Sequence, residues 1–282
     1  MRVNNAAIAM PLILGMLACS AAQAQTTSPT PRFTIGAKAW HAEWLSYMPA
    51  VFSGISPDGS PAIGDSANAV EGTQRTSILP QLGVSYGKFF ASVNHGQFKS
   101  DFHVNNSPVL TPTGQNLITS RTDHFKRRES DLTVGYAVTP EIGLAIGYKD
   151  ATETRDSSLG IASGSTPLIR TKARGLILGA VGSFAVHDKL RLYIQAGYGP
   201  ARLKLRFADP AMTATKTDGS YVIGEIGLSY PVFTNANGAG LNAAFGYRTQ
   251  TVKTDGYADA AQQSRDLRDV REGVVLALNF VM

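Results

Sequence analysis

Cysteine is almost absent from this chain. The one present, Cys19, lies close to the N-terminus and has no second cysteine to pair with, so no disulfide can brace the remaining residues. Beyond residue 24 no apolar run approaches the ~20 residues of a membrane-spanning helix. A G-x-S-x-G elbow, a G-x-G-x-x-G turn and a phosphate loop are all missing, so serine-hydrolase and nucleotide chemistry have no anchor. The five histidines, His41, His95, His103, His124 and His187, form no i, i+4 pair of the kind that binds metal on a helix. The net charge of +5 is modest. Nothing here calls for a cofactor, a metal or nucleic acid.

What the sequence does contain begins with an export signal. Arg2 supplies a positive start, residues 6–18 are mostly apolar, and Ala22-Gln23-Ala24 gives the small-x-small pattern read by signal peptidase. Cleavage is expected after Ala24. A lipobox ending at Cys19 is the weaker reading, because Met16 stands where such motifs carry Leu and a better ordinary site lies downstream. The expected organisation is a signal peptide over 1–24, a short periplasmic leader over 25–31 and one domain over 32–282.

That domain alternates apolar with polar or small residues, the period of strands with two different faces. Val274, Leu276, Leu278, Phe280 and Met282 share one face of the last segment, and Val275, Ala277, Asn279 and Val281 the other. The pattern predicts ten strands over 32–44, 76–86, 89–100, 121–137, 142–153, 170–185, 189–207, 218–230, 240–252 and 266–282. Pro200 is expected to break the parity of the seventh, since proline cannot donate to a ladder.

The connections alternate in length. Short turns fall at 87–88, 138–141, 186–188 and 231–239, and long links at 45–75, 101–120, 154–169, 208–217 and 253–265. Membrane barrels of bacterial outer membranes have short periplasmic turns and long external loops. The fold expected is therefore an all-β, antiparallel, up-and-down transmembrane barrel of about ten strands. Aromatics cluster near the strand ends: Phe33, Tyr86, Phe89, Phe90, Tyr136, Phe184, Tyr230, Phe233 and Phe280 at the periplasmic side, and Trp44, Tyr47, Phe98, Phe125, Tyr148, Phe207 and Tyr247 at the other. Both groups are expected to form interfacial girdles.

The C-terminus resembles the assembly signal of Gram-negative outer-membrane barrels. Arg271, Gly273, Leu276 and Leu278 match its polar residue, glycine and paired hydrophobics, and Phe280 adds an aromatic. Met282 replaces the usual terminal aromatic. The resemblance implies delivery to the outer membrane by the barrel assembly machinery, and it points to no single functional family.

Charge is the other signal. Most of the 26 Lys and Arg lie in strand bodies, upper strand ends or external loops. Lys126-Arg127-Arg128 is one cluster. Arg170, Lys172 and Arg174 share a face, as do Arg202, Lys204 and Arg206. Outward stripes would contact outer-membrane lipid and lipopolysaccharide, whose phosphates suit Arg and Lys. Inward stripes would favour anions in a lumen. Lys149, Arg191, Gln195, Glu225, Arg248 and Asn279 are the expected polar lining. One rim constellation, Asp101, His103, Asp123 and His124, is the only candidate for hydrolysis, and its spacing does not match the omptin proteases. His41 and Glu43, two apart on a strand, read as a structural pair.

The leading expectation is a non-enzymatic outer-membrane barrel with a small polar lumen, passing small solutes. A surface or structural barrel binding lipopolysaccharide is the alternative, and a rim hydrolase the third. Oligomeric state is left open by the sequence.

Overall fold

The structure, a computed structural model, describes residues 30–46, 53–55, 61–63, 70–110, 116–157, 169–207, 214–258 and 264–282. The expected signal peptide, its cleavage site and most of the expected leader lie outside these residues, as do Tyr47 and the side chain of Phe207.

Ten long strands form one closed antiparallel barrel: β1 (Arg32–Ser46), β5 (Arg75–Tyr86), β6 (Phe89–Leu110), β7 (Asn116–Ala137), β8 (Ile142–Ser157), β9 (Ile169–Ala185), β10 (Arg191–Phe207), β11 (Thr215–Thr234), β12 (Gly240–Ala258) and β13 (Ser264–Val281). Each pairs with its neighbour, and β13 pairs with β1 to complete the ring. Closure leaves no exposed sheet edge, which a lipid environment demands. Between β1 and β5, β2 (Ser53–Ile55) and β3 (Pro61–Ile63) form a hairpin, and β4 (Val70–Glu71) pairs with the top of β1.

Paired residues can be followed once around the wall, from Arg32 through Ser85, Phe90, Gly135, Ala145, Gly179, Gly197, Ile223, Gln250 and Arg271 to Trp44. The path starts at the foot of β1 and returns near its top, so the strands are strongly tilted, as closure of a ten-stranded sheet requires. The periplasmic turns are tight for identifiable reasons. Gly87 adopts φ 57° in the two-residue β5–β6 turn, and Gly238 adopts φ 79° in the β11–β12 turn. Asn235 Oδ1 braces the latter by accepting the Asn237 and Ala239 N–H groups at 3.0 and 2.8 Å. Gly273 has a different reason: a Cβ there would lie 2.1 Å from the His41 carbonyl oxygen on β1.

The wall is inside out relative to a water-soluble domain. Leu178, Leu276 and Leu278 are 66, 59 and 56% exposed, while Lys149, Arg271 and Glu225 are 1, 2 and 3% exposed. Apolar side chains face outward in a belt from Phe33, Tyr86 and Phe89 at the turns up to Ile78, Tyr148, Tyr198 and Tyr247.

Three expectations need correction. Parity does not break at Pro200. Tyr198, Pro200, Arg202 and Arg206 are all on the outward face, Ala201, Leu203 and Leu205 are all buried, and the register with β11 runs through unshifted. The ladder to β9 omits only the pairs opposite Gly199 and Pro200. The strands also outrun their predicted ends. β6 and β7 stay paired to Leu110 and Asn116 across a register shift, and much of the predicted loop 101–120 is therefore ladder. Finally, Phe90, Trp44, Phe98 and Phe125 point into the lumen and are 3–7% exposed, so they belong to no girdle.

Candidate functional site: an ion-paired lumen and a basic outer wall

Inward alternation places the charges of β7 in the lumen: Arg127 and Glu129 point inside, while Lys126 and Arg128 point out. The predicted three-residue basic cluster is thus split by the wall. Glu129 meets Lys149 Nζ at 2.8 Å, accepts a hydrogen bond from Gln250 Nε2 at 3.0 Å and pairs with both Arg127 and Arg271. Arg127 also reaches Asp269 at 3.0 Å and Glu153 at 3.4 Å. Asp269 accepts the Trp44 indole N–H. Lys149 donates to Asp131 at 2.7 Å. In the strand order β12 stands across the lumen from β7, with β13 beside it, so these contacts bridge opposite walls.

A second knot lies nearer the periplasm. Both carboxylate oxygens of Glu225 accept from Lys38 Nζ at 2.7 Å. Glu225 also accepts from Arg248 at 2.9 Å, Tyr193 at 3.1 Å and Gln195 at 3.2 Å. Such burial is tolerable because Glu129 and Glu225 each meet at least two cations; isolated, each ion would face a desolvation penalty of several kcal/mol.

Apolar residues fill the outer lumen around these ions. Trp40, Trp44, Phe98, Phe102 and Phe125 form one cluster, with edge contacts of 5.4 Å for Trp40–Phe98 and 5.7 Å for Trp44–Phe102. The Arg271 guanidinium sits 4.1 Å from the Phe98 ring centre and 5.2 Å from Trp40. Across the lumen Leu203, Leu205, Tyr221 and Val252 pack with Ala151, Ala173 and Ala201. Below the ionic layer the lining becomes small, and a cavity of ≈ 70 Å³ lies among Lys38, Gln81, Gly147, Gly179, Gln195 and Arg248.

Of the predicted lining residues, Lys149, Gln195, Glu225, Arg248 and Asn279 are buried in the lumen. Half-buried Arg191 donates to the Ser183 hydroxyl at 2.9 Å and carbonyl at 2.7 Å. Arg271, singled out as part of the assembly signal, is a centre of the ionic layer. Leu276 and Leu278 face outward, and Phe280 is half-buried on the same side. The sequence reading did not assign Lys38, Arg127, Glu129, Asp131, Glu153 or Asp269 to the lumen. Parity carried up β7 from Leu132, Val134 and Tyr136 would have assigned Arg127 and Glu129 to the lumen.

On the outer wall the two basic triplets stand face to face. Arg174 is paired with Arg202, Lys172 with Lys204 and Arg170 with Arg206, and Lys204 has Lys216 on its other side. They begin just above outward-facing Leu176 and Tyr198. Among the described residues, acidic partners are confined to the lowest tier. Asp150 meets Arg174 at 2.8 Å and Lys172 at 3.8 Å, and Asp218 meets Arg202 at 3.9 Å. Like charges directly opposite on neighbouring strands are destabilising.

The rim constellation does not assemble. Asp123 points into the lumen and pairs with Arg155, while Asp101, His103 and His124 face outward. His124 Nδ1 lies 2.7 Å from Asp101 Oδ1, and Arg75 also pairs with Asp101. The hydrogen bond with His124, followed by Arg75, holds the Asp101 carboxyl below its ordinary range. His103 bonds Thr122 at 3.0 Å, and His41 bonds Thr76 at 2.9 Å rather than Glu43. Among the described residues no group of three or more His, Cys, Asp or Glu is placed to hold a metal ion.

No protein-family model matches the chain, and no curated protein matches it in sequence. Solved structures do. The outer membrane protease OmpT from Escherichia coli is 10% identical, with 92% of this chain and 100% of that chain covered at a TM-score of 0.52. Neisserial surface protein A is 12% identical over 88% and 96% of the two chains at a TM-score of 0.37. The Pseudomonas putida toluene transporter TodX is 9% identical over 94% and 92% at a TM-score of 0.36. At such identities the likeness is one of fold. The chain is a ten-stranded β-barrel of the Gram-negative outer-membrane type, with no single functional family marked out.

Proposed function

We propose that this protein is a non-enzymatic outer-membrane barrel whose lumen does not conduct and whose outer wall binds lipopolysaccharide. The observation that carries the reading is the outward pairing of Arg170, Lys172 and Arg174 with Arg206, Lys204 and Arg202 immediately above the apolar belt. A wall that sets like charges opposite one another is relieved by an external anion. Phosphorylated lipid is the anion available at that height, and Arg and Lys bind phosphate by charge-assisted hydrogen bonds. The cross-lumen pairs support the non-conducting half of the proposal.

The test is to replace each triplet with Gln and measure co-purified lipopolysaccharide. Loss of lipopolysaccharide with normal barrel yield supports the proposal. Full retention by both variants overturns it. The second reading, a narrow passage for small solutes, is favoured by the cavity below the ionic layer, and it predicts discrete conductance steps from the unaltered protein.

A further inference from the structure

We infer that the cavity in the periplasmic half of the lumen is a binding site for a small, uncharged, polyhydroxylated solute. This inference goes beyond both functional readings, since it needs neither bound lipopolysaccharide nor an open channel.

The space is not dictated by packing. Gly147 lines the cavity, and a Cβ built on it would find its nearest neighbours, the Leu132 carbonyl oxygen and Thr133 Oγ1, both at 3.6 Å. That is ordinary contact, so a methyl group fits. The neighbouring glycines differ: a Cβ on Gly179 would meet the Ala196 carbonyl oxygen at 2.9 Å, and one on Gly197 would meet Ile177 Cγ2 at 2.8 Å. Glycine at 147 therefore leaves room that the strand pairing does not demand.

The polar groups around that room are incompletely matched. Gln81 is 3% exposed, lines the cavity, and its Oε1 has no hydrogen-bond donor among the described residues. Arg248 also lines the cavity, and its Nε has no acceptor among them. Buried groups of this kind are costly when left unpaired. A row of amides continues from Gln81 toward the periplasm. Gln81 and Asn279 both pair with Gly36, and Asn279 pairs in turn with Asn242 near the β11–β12 turn. Neither side-chain polar atom of Asn279 or Asn242 has a partner among the described residues.

The chemistry of these groups selects the ligand class. The cations at the cavity already have carboxylates: Lys38 and Arg248 share Glu225, and Lys149 has Asp131 and Glu129. A net charge on the ligand would add an uncompensated ion to a balanced set. What is left wanting is one donor and one acceptor, and a hydroxyl supplies both. Leu79, Ile177 and Ile223 give apolar contact for a carbon backbone. At roughly 10–15 Å³ for each water-sized group, the cavity of ≈ 70 Å³ suits a three-carbon polyol.

The experiment is saturation-transfer NMR on the refolded full barrel in detergent, titrated with glycerol, and with acetate and butanol in parallel. Saturable transfer to glycerol alone is expected. It should weaken at least tenfold in Gly147→Val and in Gln81→Leu, and less in Gly147→Ala, with all three variants keeping the heat-dependent gel shift of a folded barrel. No saturable glycerol signal, a signal unchanged in the folded variants, or saturation by acetate or butanol instead overturns the inference.

Discussion

The barrel carries two concentrations of charge, and they are resolved in opposite ways. In the lumen, Lys38, Arg127, Lys149, Arg248 and Arg271 are matched by Glu129, Asp131, Glu153, Glu225 and Asp269, almost all within direct contact. On the outer wall, six cations over β9 and β10 have only Asp150 and Asp218 as partners among the described residues. The inner set is neutralised within the fold, although single atoms such as Arg248 Nε have no acceptor among the described residues. We propose that the outer set takes its counter-charge from phosphorylated lipid.

The sharpest way to break this contrast is to remove an inner carboxylate. Glu129→Ala leaves Arg127, Lys149 and Arg271 without their shared partner, and loss of one member of a buried pair costs about 3–5 kcal/mol. A large drop in the urea midpoint of the heat-dependent gel shift is expected. An unchanged midpoint would mean that the inner charges are solvated rather than mutually held.

Next in size is the lipid face that separates the two sets. Leu278→Asp places a carboxylate on the apolar belt at a cost of roughly 1–3 kcal/mol, depending on depth. Lower outer-membrane yield is expected, whereas the inward neighbour Ala277→Ser should assemble normally. Equal yields from the two would contradict the assigned faces.

The outer set should respond differently from both. Arg170, Lys172 and Arg174 replaced together by Gln should change the urea midpoint little, since exposed ion pairs contribute about 0–1 kcal/mol, while lowering retained lipopolysaccharide. A loss of stability comparable with Glu129→Ala would erase the distinction between the two sets.

The smallest expected effect concerns Asp101. Its carboxyl is held below the ordinary value by His124 and Arg75. Its contribution is complete above the unfolded-state value of 3.8 and is lost as pH falls through the lower folded value. Asp101→Asn should therefore narrow its stability difference from the parent only in strong acid. A difference that grows on acidification would reverse the sign argued here.

The contrast also explains what the sequence revealed and what it hid. Strand number and turns were legible because parity within the bilayer is unambiguous: Leu276 and Leu278 face lipid, and Ala277 and Asn279 do not. Above the belt the meaning of the pattern inverts. On β10 the outward face passes from Ile194 and Tyr198 to Arg202 and Arg206, while the inward face passes from Gln195 to Leu203 and Leu205. The apolar residues change sides and the strand does not, so the break expected from a proline that cannot donate to the ladder is absent at Pro200. On β1 the same inversion takes Trp40 and Trp44 inside and leaves His41 and Glu43 outside. An aromatic near a strand end thus belongs to the girdle only if it keeps the parity of the lipid face. The cavity was hidden for another reason: it depends on which small residues from β8, β9 and β10 meet at one height, and that is set by the tilt of the closed sheet.

Planar-bilayer recording tests the central claim, that the inner charges close the lumen and leave the outer wall as the working surface. The unaltered protein is predicted to insert without discrete conductance steps, and Glu129→Ala to produce them if it folds. Regular open steps from the unaltered protein would contradict the account.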